Sequence, residues 1–402
     1  MGRRSSPPGP AHVLVVGGGP GLCDRILLSG AEYTLVDTPA RYEPALVAAA
    51  RHSVLTEFDD PVLVPLLRAV HSEQPFGAVL SLTEQGLLPA ARIAAELGIL
   101  GLRPEVVART RDKFAMRAWL RDRGFSKVPC AVVRNGADIE AFAAEHGYPV
   151  VVKPRHGQGS EQVRCVRGAG QAVLPAAIDD DYLAEPFLEG PEFSVEAVSC
   201  AGEHHVVAIT GKLTNEGDPD HPFVEVGHVV PAALPADAAA AVTEYVRGFL
   251  DAMGITDGPS HTELRLTPAG PEVIETHTRV GGDNIPTLVR QATGQDLLDL
   301  VVQWALDRTR PAPAQAAAAS GAAAIRYFTP PPGRVDRVLG VQRWQGLPGV
   351  VKLHLPLRPG DRVPAVRDSA SRVGYVLTTA ATAEQAVALC ARVVSGIRIS
   401  LQ

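Results

Sequence analysis

Over the first hundred residues, short apolar runs alternate with helical patterns. HVLVV (12–16) runs into GGGPG, a helix-like stretch follows, and then come YTLVD (33–37), the helical VLVPLLRAV, FGAVLSL (76–82) and the helical LLPAARIAAEL. That rhythm predicts βαβ units and a parallel sheet. If Gly17 and Gly19 open a G-x-G-x-x-G dinucleotide fingerprint, its third glycine falls on Leu22, so the glycines are read as a tight strand-to-helix turn.

A second unit starts near the helical RTRDKFAMRAWLRDRG. It continues through KVPCAVV, the helical DIEAFAAEHG and YPVVVKPRHGQGSEQVRCV. There a β-branched strand delivers Lys153 to a loop whose Gly157 and Gly159 let backbone N–H groups approach an anion. The competing reading is an ordinary hairpin with one exposed lysine. The spacing is not that of a Walker loop.

SHTELRLT (260–267) and PEVIETHTR (271–279) read as a hairpin. With the turn centred on Ala269, Glu263 faces Glu275 and His261 faces His277, all on one face. Carboxylates set directly opposite repel unless a cation lies between them. Two carboxylates suit a hard ion such as Mg2+, and the two histidines leave zinc as the alternative. The rest of the chain reads as strands AAAIRYF, VKLHLPL and GYVLTTA with a final helix from TAEQAVALCARVVSG. PAPAQAAAAS (311–320) reads as a linker or weak helix.

Composition narrows the class. With 402 residues, 46% hydrophobic and 20% charged, the chain can build several cores and is not disordered. A formal charge of −6 argues against a nucleic-acid-binding surface, so an anionic ligand must be met by local cations. Lysine is scarce, at Lys113, Lys127, Lys153, Lys212 and Lys352 only, which makes each position worth inspecting. Five scattered cysteines fit reduced thiols in the cytoplasm rather than a disulfide framework or zinc site. No run approaches the apolar length of a membrane span.

The order of Lys113 before a helix, Lys153 ending a strand, the loop HGQGS, the segment EPFLEGPEFSVE and the ending Glu263…Glu275-x-His277-x-Arg279 resembles the ATP-grasp ligases. The resemblance spans almost the whole chain. It implies the ATP-grasp fold, of α/β and α+β class, with an N-terminal βαβ (pre-ATP-grasp) domain, a central lid subdomain and a C-terminal α+β domain. The expected divisions are a polar leader (1–11), the N-terminal domain (12–105), the lid subdomain (106–190) and the catalytic domain (191–402), whose small α+β subdomain starts at about 320.

By this resemblance Lys113 and Lys153 meet the ATP phosphates, with Gly159 and Ser160 on a mobile loop. Glu185, Phe187 and Leu188 contact adenine, and Glu192 the ribose. Glu263 and Glu275 hold magnesium, with manganese as an alternative, and Arg279 binds the transferred phosphoryl group or acyl phosphate. His277 joins the metal set where the family usually has an asparagine, and Gln162 replaces a glycine of the loop.

ETHTRVGGD, FVEVGHVVPA and RVGYVLTTAATAEQAVALC are most similar to the amino-acid ligase (dipeptide synthetase) branch. That assigns Glu225 to a substrate ammonium and His228 to a carboxyl or phosphoryl oxygen. Gly281 and Gly282 are expected to offer N–H groups to a substrate carboxylate. Arg326 and Arg372 are within reach of the active site, with a surface role as the favoured reading.

The expected activity is ATP-dependent amide formation between amino acids or amino-acid-like acids, through an acyl phosphate, with release of ADP and phosphate. The expected setting is secondary-metabolite biosynthesis in the cytoplasm. The partners are small-molecule amino-acid or carboxylic-acid substrates, with neither nucleic acid nor membrane, and an exposed βαβ edge is compatible with a homodimer. The alternatives are carboxylation or sugar-phosphate amine ligation on the same fold, or a regulatory ATP-binding protein without turnover.

Overall fold

In the computed structural model, which describes residues 11–174, 181–215, 217–218, 221–308 and 321–402, the site lies between two antiparallel sheets. The expected leader falls outside the described residues but for Ala11, and the Pro/Ala linker lies outside them.

The first hundred residues form a four-stranded parallel sheet, in the order His52–Leu55, Glu32–Asp37, His12–Val16 and Ala78–Leu80. The inner strands are continuous apolar runs because helices cover both faces. Helix Leu297–Asp307 returns to this sheet and inserts Trp304 into its core. At Gly17, φ is +67° and an added Cβ would lie 2.3 Å from Thr83 Oγ1, so the strand-to-helix turn accepts only glycine there.

A smaller antiparallel sheet orders Ala131–Val133, Tyr182–Pro186, Val150–Pro154 and Arg164–Val166. The large sheet has eight strands, in the order Gly270–His277, Gly258–Thr267, Glu192–Cys200, Glu203–Thr214, Glu225–Val230, Ala322–Tyr327, Tyr375–Ala380 and Val350–His354. It passes without a break across residue 320, so the strands of the expected small subdomain extend the sheet that carries the acidic pair. Helix Ala236–Met253 packs under it through Val242, Val246, Phe249, Leu250 and Met253, and ends at Gly254 with φ +70°. Among the described residues, no helix is long and apolar enough to cross a membrane.

The acidic hairpin pairs Glu263 with Glu275 and His261 with His277, as the sequence predicts, but by a different route. Its turn is the two-residue Pro268-Ala269, and the register near it pairs Thr267 with Gly270 and Leu264 with Val273. A β-bulge then inserts Ile274 and shifts the register by one before the acids are reached. The bulge also bends the strand so that Ile274 lines the cleft described next.

Candidate active site

Two clefts meet over the large sheet. One, of about 760 Å³, lies between the two antiparallel sheets, walled by Val151, Val163, Phe187, Leu188 and Ile274 and carrying Lys113 and Lys153. The other, of about 1110 Å³, is lined by Lys212, Glu225, His228, Arg279, Gly282 and Asp283, among others. Gln158, Ser160, Glu161, Glu263 and Glu275 border both, so the glycine-rich loop and the acidic pair form their shared boundary.

In the first cleft, strand Val150–Pro154 and its partner Tyr182–Pro186 bring Lys153 Nζ to 2.8 Å from Glu185 Oε2. Arg117, from helix Lys113–Asp122, donates to the same carboxylate at 2.8 and 3.3 Å. Burial opposes a charge on Glu185, but Arg117 and Lys153 outweigh it and hold the carboxyl down at about 2. Glu192 is gripped by Arg265, which also donates to the carbonyls of Leu188 and Gly190 and stacks 4.7 Å over Phe187. Arg265 thereby fixes the bend at Phe187 and Leu188. An apolar slot at one end and cations at the other fit a nucleoside polyphosphate.

At the boundary, Glu263 Oε2 lies 2.7 Å from Lys212 Nζ, and Glu275 Oε2 lies 2.7 Å from Lys113 Nζ. Their other oxygens face His261 Nε2 at 3.1 Å and His277 Nε2 at 3.3 Å. Burial works against ionisation of both acids, yet these cations hold Glu263 and Glu275 below the ordinary carboxylate range. Two ionised carboxylates facing each other beside a phosphate-sized cleft fit a hard divalent ion.

His277 fits that set less well. Its Nδ1 lies 2.8 Å from Glu84 and its Nε2 faces Glu275. Burial lowers its pKa, but these carboxylates raise it overall, and both ring nitrogens already face carboxylates.

Glu84, from the start of helix Glu84–Leu97, also accepts from Arg279 Nε at 2.7 Å. Burial resists its charge, but His277 and Arg279 keep its pKa at about 2. The Lys212 side chain is 1% exposed and touches Glu192 at 3.1 Å, Glu225 at 2.6 Å and Glu263 at 2.7 Å. It is the counter-ion of the whole floor.

The glycine-rich loop lies over the boundary. Lys113 Nζ donates to Gly157 O at 2.9 Å, Arg279 Nη2 to Gln158 Oε1 at 3.3 Å, and Ser160 Oγ to Phe223 O at 2.9 Å. Gly159, Ser160 and Gln162 all have φ between +57° and +68°. Tyr182 Oη donates to Gln162 Oε1.

In the second cleft, His228 is 1% exposed and its Nε2 lies 3.1 Å from Asp283 Oδ2, while its buried Nδ1 has no partner. The Gly281 N–H is committed to Glu196 at 3.0 Å, which corrects its expected role as a donor to substrate. An added Cβ there would lie 2.9 Å from His261 and 3.1 Å from Glu196, so the position is glycine for packing. Gly282 lines the cleft. Arg372, expected at the surface, is buried against Asp283 through two bonds of 2.7 Å.

The sequence reading missed Glu84, Arg117, Lys212, Arg265 and Asp283 as site residues, and weighed Arg372 toward the surface although it named the active site as an alternative. Only Lys212 carried a signal, the rarity of lysine.

Acid should expose the Glu185 network. With its folded pKa near 2 and its unfolded value near 4.5, Glu185 stabilises the fold above pH 4.5 and loses that contribution as pH falls toward 2. The loss should be roughly 3 kcal/mol, at about 1.4 kcal/mol per pKa unit. Glu185→Gln should be less stable at pH 7, because Lys153 and Arg117 lose their partner, yet show a flatter decline below pH 4.5. Urea midpoints at pH 7, 4 and 3 test this, and parallel declines would contradict it.

Three family models match the chain: an ATP-grasp N-terminal domain over residues 29–100, an ATP-grasp domain over 146–287 and an L-amino acid ligase C-terminal domain 2 over 326–402. An uncharacterized protein of Sinorhizobium fredii is 29% identical over 333 residues, covering 80% of this chain and 68% of that one. The L-arginine-specific L-amino acid ligase of Bacillus subtilis is 23% identical over 352 residues, 83% of each chain. The crystal structure of L-amino acid ligase from Bacillus licheniformis matches with a TM-score of 0.82 and 25% identity, over 98% of this chain and 100% of that one. Because these matches cover successive parts of the chain, and one solved ligase shares the fold throughout, the chain carries ATP-grasp domains followed by an L-amino acid ligase C-terminal domain.

Proposed function

We propose that this chain is an ATP-dependent ligase that joins the carboxylate of one amino acid, or amino-acid-like acid, to the amine of another, through an acyl phosphate. The observation that supports this most strongly is the shared boundary of the two clefts at Glu263, Glu275 and the glycine-rich loop. Relatives named as amino-acid ligases support the same reading.

The chemistry is a problem of charge. A carboxylate approaching a terminal phosphate brings anions together, so positioning and cations must supply most of the rate. Lys153 and Lys113 would hold phosphate oxygens, with the Phe187–Leu188 bend against the base and Glu192 toward the sugar. Glu263 and Glu275 would hold magnesium, which when bound supplies charge neutralisation on the phosphates. Arg279, oriented by Glu84, would donate to the phosphoryl oxygens as they approach the acid. Glu225 would receive a substrate ammonium and His228 a carboxyl or phosphoryl oxygen. The loop at 156–162, closed by Lys113, Arg279 and Phe223, would exclude water until an amine arrives.

A substrate acid labelled with heavy oxygen in its carboxylate tests the intermediate. One labelled atom should leave in each inorganic phosphate released, and unlabelled phosphate would rule the acyl phosphate out.

A further inference from the structure

One short turn joins the second cleft to the glycine-rich loop. Ser369–Ser371 forms a single helical turn capped by Asp368, whose side chain accepts from Ser371 N–H at 2.8 Å while Ser371 Oγ bonds back to the Asp368 backbone. These reciprocal bonds make residues 368–371 a stiff unit. Arg372 anchors one end. Its Nη1 donates to Asp283 Oδ2 at 2.7 Å and to Glu225 O at 2.9 Å, its Nη2 to Asp283 Oδ1 at 2.7 Å, and its Nε to Ser369 O at 2.7 Å. The guanidinium lies 3.7 Å over the Tyr327 ring.

Ser369 is the other end. Its N–H donates to Gly159 O at 3.1 Å, and its Oγ to Glu225 Oε2 at 3.3 Å. One residue therefore touches both the loop over the boundary and a carboxylate of the second cleft, while the next bonded residue, Arg372, holds Asp283 and, through it, His228.

We infer that Ser369 and Arg372 are positioning residues that make closure of the glycine-rich loop depend on the second cleft being correctly assembled. The inference rests on the ligase reading for its chemical meaning. A group seated against Glu225, Asp283 and His228 sets the turn, the turn presents the Ser369 N–H, and that N–H fixes Gly159 over the reacting atoms. With the turn displaced, the loop opens more often, water reaches the activated acid, and phosphate is released without amide.

The turn permits a clean test. Ser369 is the first residue of its helical turn, where proline is tolerated, and Asp368 before it is extended at φ −157°, ψ 177°, as a residue preceding proline must be. Ser369→Pro thus deletes both the N–H donated to Gly159 and the Oγ contact to Glu225 while keeping the turn. Ser369→Ala keeps that N–H and deletes only the contact to Glu225.

Two readouts are taken. The first is phosphate released per amide formed, using Mg-ATP and the fastest pair among the proteinogenic amino acids. The second is hydrogen exchange of the 156–162 loop with a non-hydrolysable ATP analogue and magnesium. Ser369→Pro should raise both about fivefold, the scale of one hydrogen bond. Ser369→Ala should raise KM for an amino acid while keeping the phosphate-to-amide ratio and the loop's exchange. Arg372→Lys, which cannot grip Asp283 with two parallel bonds, should raise the ratio as well.

If Ser369→Pro leaves the ratio and loop exchange unchanged, or if Ser369→Ala changes them equally, the inference falls. If the wild-type chain forms no amide at all, the ligase reading falls, and loop exchange alone still decides whether the turn holds the loop.

Discussion

Lys212→Met should cost about 3–5 kcal/mol of stability at neutral pH, the effect of leaving buried charges without a partner, and should reduce ligation by about a thousandfold. The reason is geometric. Glu192, Glu225 and Glu263 converge on the ammonium group of a side chain that is 1% exposed, and methionine supplies similar bulk without charge. Burial lowers the pKa of Lys212, yet the three acids raise it well above the ordinary lysine value. The defect should depend on pH with a definite sign. Without the lysine, three carboxylates face one another across the vacated ammonium position, so lower pH relieves their repulsion and the variant should recover stability relative to wild type between pH 8 and pH 5. Thermal denaturation at the two pH values measures this. An equal deficit at both would show that Lys212 contributes packing rather than charge balance.

Glu263→Gln and Glu275→Gln should each lower turnover by about a hundredfold or more and raise the magnesium concentration needed for half-maximal rate. They stand directly opposite each other on neighbouring strands, so they should act as one unit. The double variant should then be little worse than the poorer single variant, as expected for groups that share one function. Initial rates against magnesium concentration at saturating ATP provide the check. A single variant with wild-type magnesium dependence would remove that residue from the proposed metal set.

The parallel sheet was legible because its inner strands are unbroken apolar runs next to turn glycines. One of its two outer strands, His52–Leu55, was not, since only Val54 is even partly buried and an exposed edge strand carries little pattern. Helix Ala236–Met253 has its apolar stripe in the C-terminal half, behind an alanine-rich start that gives no period. The acidic pair was legible for an incomplete reason. A turn centred on Ala269 and a two-residue turn followed by a bulge at Ile274 predict the same Glu263–Glu275 pairing, and only the folded strand distinguishes them.

Long-range ion pairing was hidden for a different reason. The partners of Lys212 lie on three strands that the sheet interleaves, and Arg372 meets Asp283 across 89 residues of sequence. No local pattern carries such a contact. Arg372 looked like a surface residue because arginine usually is one, and because the shape that buries it comes from the Tyr327 strand and the Asp283 loop together.

The central claim is that this site couples ATP cleavage to amide formation between two amino-acid-like substrates. The most direct measurement incubates the chain with Mg-ATP and the proteinogenic amino acids, singly and in pairs, and resolves ADP from AMP while quantifying amide. ADP and phosphate should form only when amino acids are present, with amide appearing in equal amount. AMP and pyrophosphate in place of ADP, or ADP formation indifferent to every amino acid and without amide, would contradict it.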